Sequence, residues 1–282
     1  MFYRWPLVQE ALTNPNILTS SDLINAILSF NRSDRWNFHG LKFFLDDFIE
    51  DEEKSIFYSQ MLPQLANLAL QLPQILTKPM PLLQKCQNDK ISISQHQIAS
   101  ILANAFFCTF PKRNSRGRKS EYANYPSINF NGLFARTNDE YQMEKLKCIL
   151  NYFRRRLAGN CSKSLVTFSR KSFRDSQLPN WRKSTALLKD LRIDSRGKIE
   201  DLSNIGMLEI DFANAFVGGG VLGHGCVQEE IRFLICPELI ASRYENNDVT
   251  YRKTSNDSRP LIIPATIFRG NRLTVRKNNR LN

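Results

Sequence analysis

Apolar residues recur at three- and four-residue spacing through the first third of the chain, in Phe43, Phe44, Phe48 and Ile49 and again in Leu62, Leu65, Leu68, Ala69 and Leu72. That period puts them on one face of a helix, so residues 35–110 are expected to form an all-α layer. The clearest start signal is Ser94, which with Gln97 has the spacing of a capping box. Ile98, Ile101, Leu102 and Ala105 then share a helical face before Pro111 ends the run. Pro73, Pro79 and Pro81 punctuate an extended connection between helical pieces.

From Lys112 to Asn138 the composition turns to Arg, Ser, Asn, Pro and Gly, which marks a loop or domain junction with a boundary near 115 to 130. Beyond it two short β-like runs, Leu165 to Phe168 and Met207 to Phe212, alternate with helical stretches at Lys145 to Leu157 and Trp181 to Leu191. That alternation predicts an α/β domain. There is no internal repeat at 20 to 50 residues.

With 282 residues, 42% hydrophobic and 11% aromatic, the chain can bury a substantial core. Its longest apolar stretch, Leu65 to Leu76, is broken by Asn, Gln and Pro well short of the roughly 20 residues a membrane span needs. No secretory h-region follows Met1, so an intracellular protein without membrane association is expected. The six cysteines form no C-x-x-C pair and the three histidines are scattered, so reduced thiols and no metal site are expected. A net charge of +12 attracts polyanions. The charge is clustered at Lys112 to Lys119, at Arg154-Arg155-Arg156 and in the tail beyond Tyr251; each run is also what a plain solvated face would show.

The chemistry-bearing segment is a strand ending at Asp211-Phe212, then Asn214, the run Gly218-Gly219-Gly220, the loop Gly223-His224-Gly225 and a helix from Gln228. Glycines let main-chain N–H groups approach a bound anion, and a helix N-terminus adds partial positive charge. A diphosphate could sit there, and a simple reversing turn fits as well. Gly218, Gly220 and Gly223 also satisfy G-x-G-x-x-G. The surroundings disfavour a Rossmann site, because two glutamates follow where a helix opened by the third glycine and an acid about 20 positions on are needed. Glu229 and Glu230 suit glycoside cleavage, in which a carboxylic acid protonates the leaving oxygen while the sugar becomes oxocarbenium-like. Adjacent glutamates in a first helical turn are also common for dipole reasons alone.

Three glycines, seven intervening residues and then Gln228-Glu229-Glu230 resemble the signature of poly(ADP-ribose) glycohydrolases. The flanks are similar to the animal members of that family: Asp211-Phe212-Ala213-Asn214 and Val217 before it, Ile231 to Leu234 and Pro237-Glu238-Leu239 after it. Upstream, Gln71-Leu72-Pro73, Gln97-Ile98-Ala99 and Ala103 to Pro111 add to the likeness, which runs from about residue 40 to about residue 244.

The resemblance implies a helical accessory domain leading into an incomplete macrodomain-like α/β domain. The expected divisions are 1–34, an N-terminal extension; 35–125, the helical domain; 126–245, the partial macrodomain; and 246–282, a divergent basic tail. It implies hydrolysis of the ribose–ribose bonds of poly(ADP-ribose) without a cofactor, by a monomer in the nucleus or cytoplasm. Glu230 would be the general acid and base, Glu229 would hold the ribose hydroxyls and Asp211 would be a supporting acid. Asn214, Gln228 and the loop Gly218, Gly219 and Gly220 would bind substrate, and Ile199 and Glu200 would contact adenine.

After Tyr244 the resemblance stops. The family's tyrosine-rich covering loop and later glycine-rich diphosphate loop have no counterpart, since Tyr251 is the last tyrosine and Gly270 the sole glycine after Gly225. The expectation is a chain cut short within its catalytic domain, with an unpaired sheet edge, an exposed apolar face and much weakened activity. The alternative is an impaired protein that binds ADP-ribose or nucleic acid without cleaving it.

Overall fold

A computed structural model describes residues 4–31, 36–83, 87–111, 127–135, 140–159, 164–172, 177, 180–187, 190–191, 193–198, 208–214, 216–245 and 265–269. Two leading helices, α1 (Arg4–Thr13) and α2 (Ser20–Ser29), pack on each other and bury Val8, Leu12, Leu23 and Ile27. Next come α3 (His39–Phe43), a π-helical turn at Phe44–Phe48, α4 (Asp51–Ile56), a second π-helical turn at Phe57–Met61, α5 (Leu62–Leu70) and α6 (Leu72–Ile75). The predicted apolar stripe is realised in α5, whose Leu65 and Ala69 are fully buried.

The capping box at Ser94 forms as the spacing predicts. The Gln97 N–H donates to Ser94 Oγ at 3.1 Å, and the Ser94 N–H donates to Gln97 Oε1 at 2.9 Å. It starts α7 (Gln95–Phe106), which is buried on every side. A helix so enclosed must satisfy its polar side chains internally. Ser100 Oγ donates to the Leu68 carbonyl at 2.8 Å and Asn104 Nδ2 to the Ala69 carbonyl at 2.9 Å, which fixes α7 against α5. Phe106 packs edge-on against Phe107, Phe134 and Phe153.

Two expectations need correction. The first third is not all helical, because β1 (Asp89–Ser94) precedes α7 and pairs antiparallel with β2 (Leu165–Arg170), from Asp89↔Arg170 to Ser94↔Leu165. Lys90, Ile91, Ser92, Ile93 and Ser94 alternate polar and apolar, the period of a half-buried strand. Their pairing buries Ile93 opposite Val166. The helix expected at Trp181 to Leu191 is, among the described residues, a single 3-10 turn at Trp181–Lys183. Leu187 and Leu191 are almost fully exposed, so no core rewards a helix there.

Between the two strands lies α8 (Glu140–Leu157), whose buried face comprises Gln142, Met143, Lys145, Leu146, Ile149, Tyr152 and Phe153. The last part holds β3 (Leu208–Phe212), α9 (Gln228–Ile235), a 3-10 segment at Pro237–Ala241, α10 (Ser242–Glu245) and β4 (Ala265–Arg269). The backbone of β4 pairs antiparallel with β3, from Leu208↔Arg269 to Phe212↔Ala265. One face of β3 is uncovered, with Ile210 51% and Phe212 58% exposed. The other face carries Asp211, which is 1% exposed. The helix α9 packs against β3, α8 and the 3-10 segment, and so brings its first turn beside Asp211.

Candidate active site

The glycine loop between β3 and α9 is a chain of tight turns. Gly219 N–H donates to the Phe216 carbonyl at 2.9 Å, Val221 N–H to Gly218 at 2.9 Å and Gly223 N–H to Gly220 at 2.8 Å. Gly225 N–H closes back onto the Gly220 carbonyl at 3.1 Å. The effect is to wrap the loop around the start of α9.

Four backbone amides point inward at the glutamates. Gly218 N–H donates to Glu229 Oε1 at 2.7 Å, and Asn214 N–H donates to Glu229 Oε2 at 2.8 Å. Gly220 N–H donates to Glu230 Oε1 at 2.8 Å, and Val227 N–H donates to Glu230 Oε2 at 3.0 Å. Each carboxylate oxygen therefore accepts one backbone N–H, an arrangement that fixes both side chains in place. Only glycine permits such closeness at Gly219, where φ is +43° and an added Cβ would lie 2.8 Å from Glu229 Oε2. Glu229 is 2% and Glu230 5% exposed.

Two buried cations hold the loop from its carbonyl side. Arg243 Nη1, on α10, donates to the Val217 carbonyl at 3.3 Å and the Gly219 carbonyl at 3.0 Å. Lys145 Nζ, on α8, donates to the Gly223 carbonyl at 2.8 Å, the Gly220 carbonyl at 3.5 Å and the Gly225 carbonyl. The peptide dipoles of the loop thus lie between cations on one side and carboxylates on the other.

Burial favours the protonated form of two of the acids, Asp211 and Glu229. Burial pushes the Asp211 carboxyl up to about 7, and repulsion from Glu229 and Glu230 adds to it while Arg232 opposes it. Among the described residues neither Asp211 oxygen has a hydrogen-bond partner. Burial also raises Glu229, against the lowering effect of its Asn214 and Gly218 N–H bonds; Glu230 raises it further and Arg243 lowers it. Burial lowers Arg243 to about 10, opposed by Glu229 and Glu230. The site thus sets Asp211, which holds its proton up to about pH 7, beside two glutamates and a cationic frame.

The structure brings together Asp211, Asn214, Gly218, Gly219, Gly220, Gln228, Glu229 and Glu230, while Ile199 and Glu200 lie outside the described residues. Gly218, Gly219 and Gly220 direct their N–H groups to Glu229, Phe216 and Glu230, so these donors hold the protein's own groups. Gln228 bridges to the strand: its Oε1 accepts the Phe212 N–H at 2.9 Å and its Nε2 donates to the Ile210 carbonyl at 3.1 Å. Asn214 Oδ1 accepts the Phe216 N–H at 3.1 Å in a local turn. Sequence reasoning missed Lys145 and Arg243, and placed Gly225 in the loop without giving it a role. A lysine inside the apolar face of α8, and an arginine two positions after the apolar run Leu239-Ile240-Ala241, were the available signals.

Among the described residues no group of three or more His, Cys, Asp or Glu is placed to hold a metal ion, and no helix is long and apolar enough to cross a membrane. A helical layer followed by a strand, a glycine loop and an acid-bearing helix defines a macrodomain-type protein with a carboxylate site. Residues 49–170 match the family model described as poly(ADP-ribose) glycohydrolase, helical domain, and residues 178–250 match that family's Macro domain fold, together more than half the chain. The chain is 37% identical over 231 residues to poly(ADP-ribose) glycohydrolase 1 of Arabidopsis thaliana, covering 76% of this chain and 41% of that protein. It is 34% identical over 242 residues to the probable poly(ADP-ribose) glycohydrolase 2 of the same plant, covering 76% and 45%. With poly(ADP-ribose) glycohydrolase 2 of Caenorhabditis elegans it shares 39% identity over 110 residues, covering 38% and 22%. The chain belongs to the poly(ADP-ribose) glycohydrolase family, as a helical domain followed by a macrodomain-fold domain. It spans less than half the length of these relatives.

Proposed function

We propose that this chain carries the acid machinery of a glycosidase that hydrolyses the ribose–ribose O-glycosidic bonds of poly(ADP-ribose). The observation that carries the reading is the pair Glu229 and Glu230, each held by two backbone N–H groups beside the buried Asp211. In the proposed reaction the Glu230 carboxyl gives its proton to the leaving 2′-oxygen as the bond to the anomeric carbon breaks. Positive charge builds on the sugar ring, and the buried carboxylates stabilise it. Water then adds to the anomeric carbon and its proton passes to Glu230, which restores the acid and releases ADP-ribose. Glu229 holds the ribose and leaving-group hydroxyls. Arg154 and Arg155, exposed on the last turn of α8, suit weak attraction of the polyanionic chain.

Purified protein incubated with poly(ADP-ribose) is expected to release ADP-ribose, with Glu230→Gln slower by roughly two to four orders of magnitude, the usual contribution of a general acid. Equal rates for the folded wild-type and variant proteins would reject the assignment of Glu230. A second reading, an impaired protein that binds ADP-ribose or nucleic acid without cleaving it, is favoured by the exposed Arg154 and Arg155, which need no carboxylate chemistry to hold a polyanion. Binding with steep salt dependence and no product, unchanged by Glu230→Gln, selects it.

A further inference from the structure

Arg243 is buried, 7% exposed, and its guanidinium makes two contacts with the glycine loop that have a common geometry. A peptide unit is planar and trans, so the carbonyl of one residue and the N–H of the next point in opposite directions from one rigid plate. Arg243 Nη1 takes the Val217 carbonyl, and the other side of that plate is the Gly218 N–H that donates to Glu229 Oε1. The same nitrogen takes the Gly219 carbonyl, and the other side of that plate is the Gly220 N–H that donates to Glu230 Oε1. One cationic nitrogen thus sets the orientation of both plates, and each plate holds one of the two glutamates. A cation on the carbonyl end also polarises each N–H toward its carboxylate, an effect that grows where water is excluded.

We propose that Arg243 is the positioning residue of the acid pair, acting on Glu229 and Glu230 through the peptide units Val217–Gly218 and Gly219–Gly220. Glycine at 218 and 219, with φ of +76° and +43°, gives the loop conformational alternatives that other residues lack. Without a grip on its carbonyls the loop could rotate its plates and release the carboxylates. Lys145 holds the later carbonyls of Gly220, Gly223 and Gly225, so it leaves the two plates under the glutamates to Arg243.

The kinetic part of the test rests on the proposed glycohydrolase reading, and the exchange part does not. Hydrogen–deuterium exchange of segments covering 216–221 and 95–106 is compared for wild type, Arg243→Met and Arg243→Lys, with Arg170→Met as a control at a half-buried arginine that bonds the Leu83 carbonyl, away from the loop. Arg243→Met is expected to speed exchange at 216–221 by about tenfold or more while 95–106 is unchanged, as local rather than global opening requires. Arg243→Lys keeps one charge but loses the guanidinium fork, so its loop exchange is expected about threefold faster than wild type and slower than in the Met variant. With poly(ADP-ribose) as substrate, Arg243→Met is expected to lower kcat by roughly ten- to a hundredfold with KM within about threefold, the pattern of lost transition-state stabilisation. The proposal is overturned if loop exchange rises no more than exchange at 95–106, or if kcat falls no further than in Arg170→Met. Should Arg243→Met not fold, unchanged loop exchange in Arg243→Lys overturns it equally. A wild type that releases no ADP-ribose removes the glycohydrolase reading alone, and the exchange result still decides the role of Arg243.

Discussion

Glu230 Oε1 accepts the Gly220 N–H at 2.8 Å, across ten positions of the chain. This bond explains why glycines and glutamates occur at a fixed distance in the sequence. Gly218 and Gly220 do not leave their N–H donors open for an anion from solution; they present them to the protein's own acids. In the proposed reaction the carboxylates are oriented before substrate arrives, which lowers the entropy cost of reaching the reactive geometry.

That closeness makes Gly225 intolerant of any side chain. A Cβ there would lie 2.8 Å from Glu230 Cγ and nearer still to the carboxylate, whereas a Cβ on Gly223 would meet nothing closer than the Gly220 carbonyl at 3.7 Å. Gly225→Ala is expected to destabilise the fold by about 1–3 kcal/mol, the usual cost of overpacking, and to abolish most hydrolysis. Gly223→Ala is expected to stay within about 0.5 kcal/mol of wild type. Urea midpoints and rates on poly(ADP-ribose) check both, and equal effects of the two substitutions would contradict the geometry.

Much of this site was legible because it is local. Asp211, Gly218 to Gly220 and Gln228 to Glu230 fall within one strand, loop and helix, and the Ser94 cap is settled over four residues. What was hidden is long-range or directed at the backbone. Arg243 reaches carbonyls 24 and 26 positions away, and Lys145 reaches carbonyls 75 to 80 positions away. A carbonyl carries no sequence identity, so neither contact leaves a motif. β1 was overlooked for a related reason, since its short alternation gains meaning only from a partner more than 70 positions later. The helix expected at 181–191 shows the reverse error, an apolar rhythm with nothing to pack against.

Arg156 and Glu238 join α8 to the 3-10 segment that precedes α10, and Gln95 Oε1 also accepts from Arg156 at 3.0 Å. Both side chains are nearly buried. Removing only the cation leaves a buried carboxylate with the Gln95 Nε2 donor at 3.4 Å but without its counter-ion, so Arg156→Met is expected to cost about 3–5 kcal/mol. The double variant Arg156→Met with Glu238→Leu is expected to recover most of that loss, because two apolar groups replace a pair that is expensive to desolvate. A double-mutant cycle on urea unfolding measures the coupling. Additive losses would show that the pair is not coupled.

Asp211 gives the protein a pH dependence of defined sign. Its carboxyl is pushed up to about 7 in the fold from an ordinary 3.8. Between those values the folded protein keeps a proton that the unfolded chain has released. Stability from this group is therefore fully present below about pH 4 and is lost as pH rises through about 7, in line with proton linkage. Asp211→Asn keeps the shape and removes the charge, and no hydrogen bond is lost because among the described residues neither Asp211 oxygen has a partner. Repulsion with Glu229 and Glu230 disappears as well. The variant is thus expected to be as stable as wild type near pH 4 and more stable at pH 8, while hydrolysis falls. Urea unfolding of both proteins from pH 4 to 8 checks this. Parallel stability curves would show that Asp211 is already ionised across the range, and would remove it as a proton-holding acid of the site.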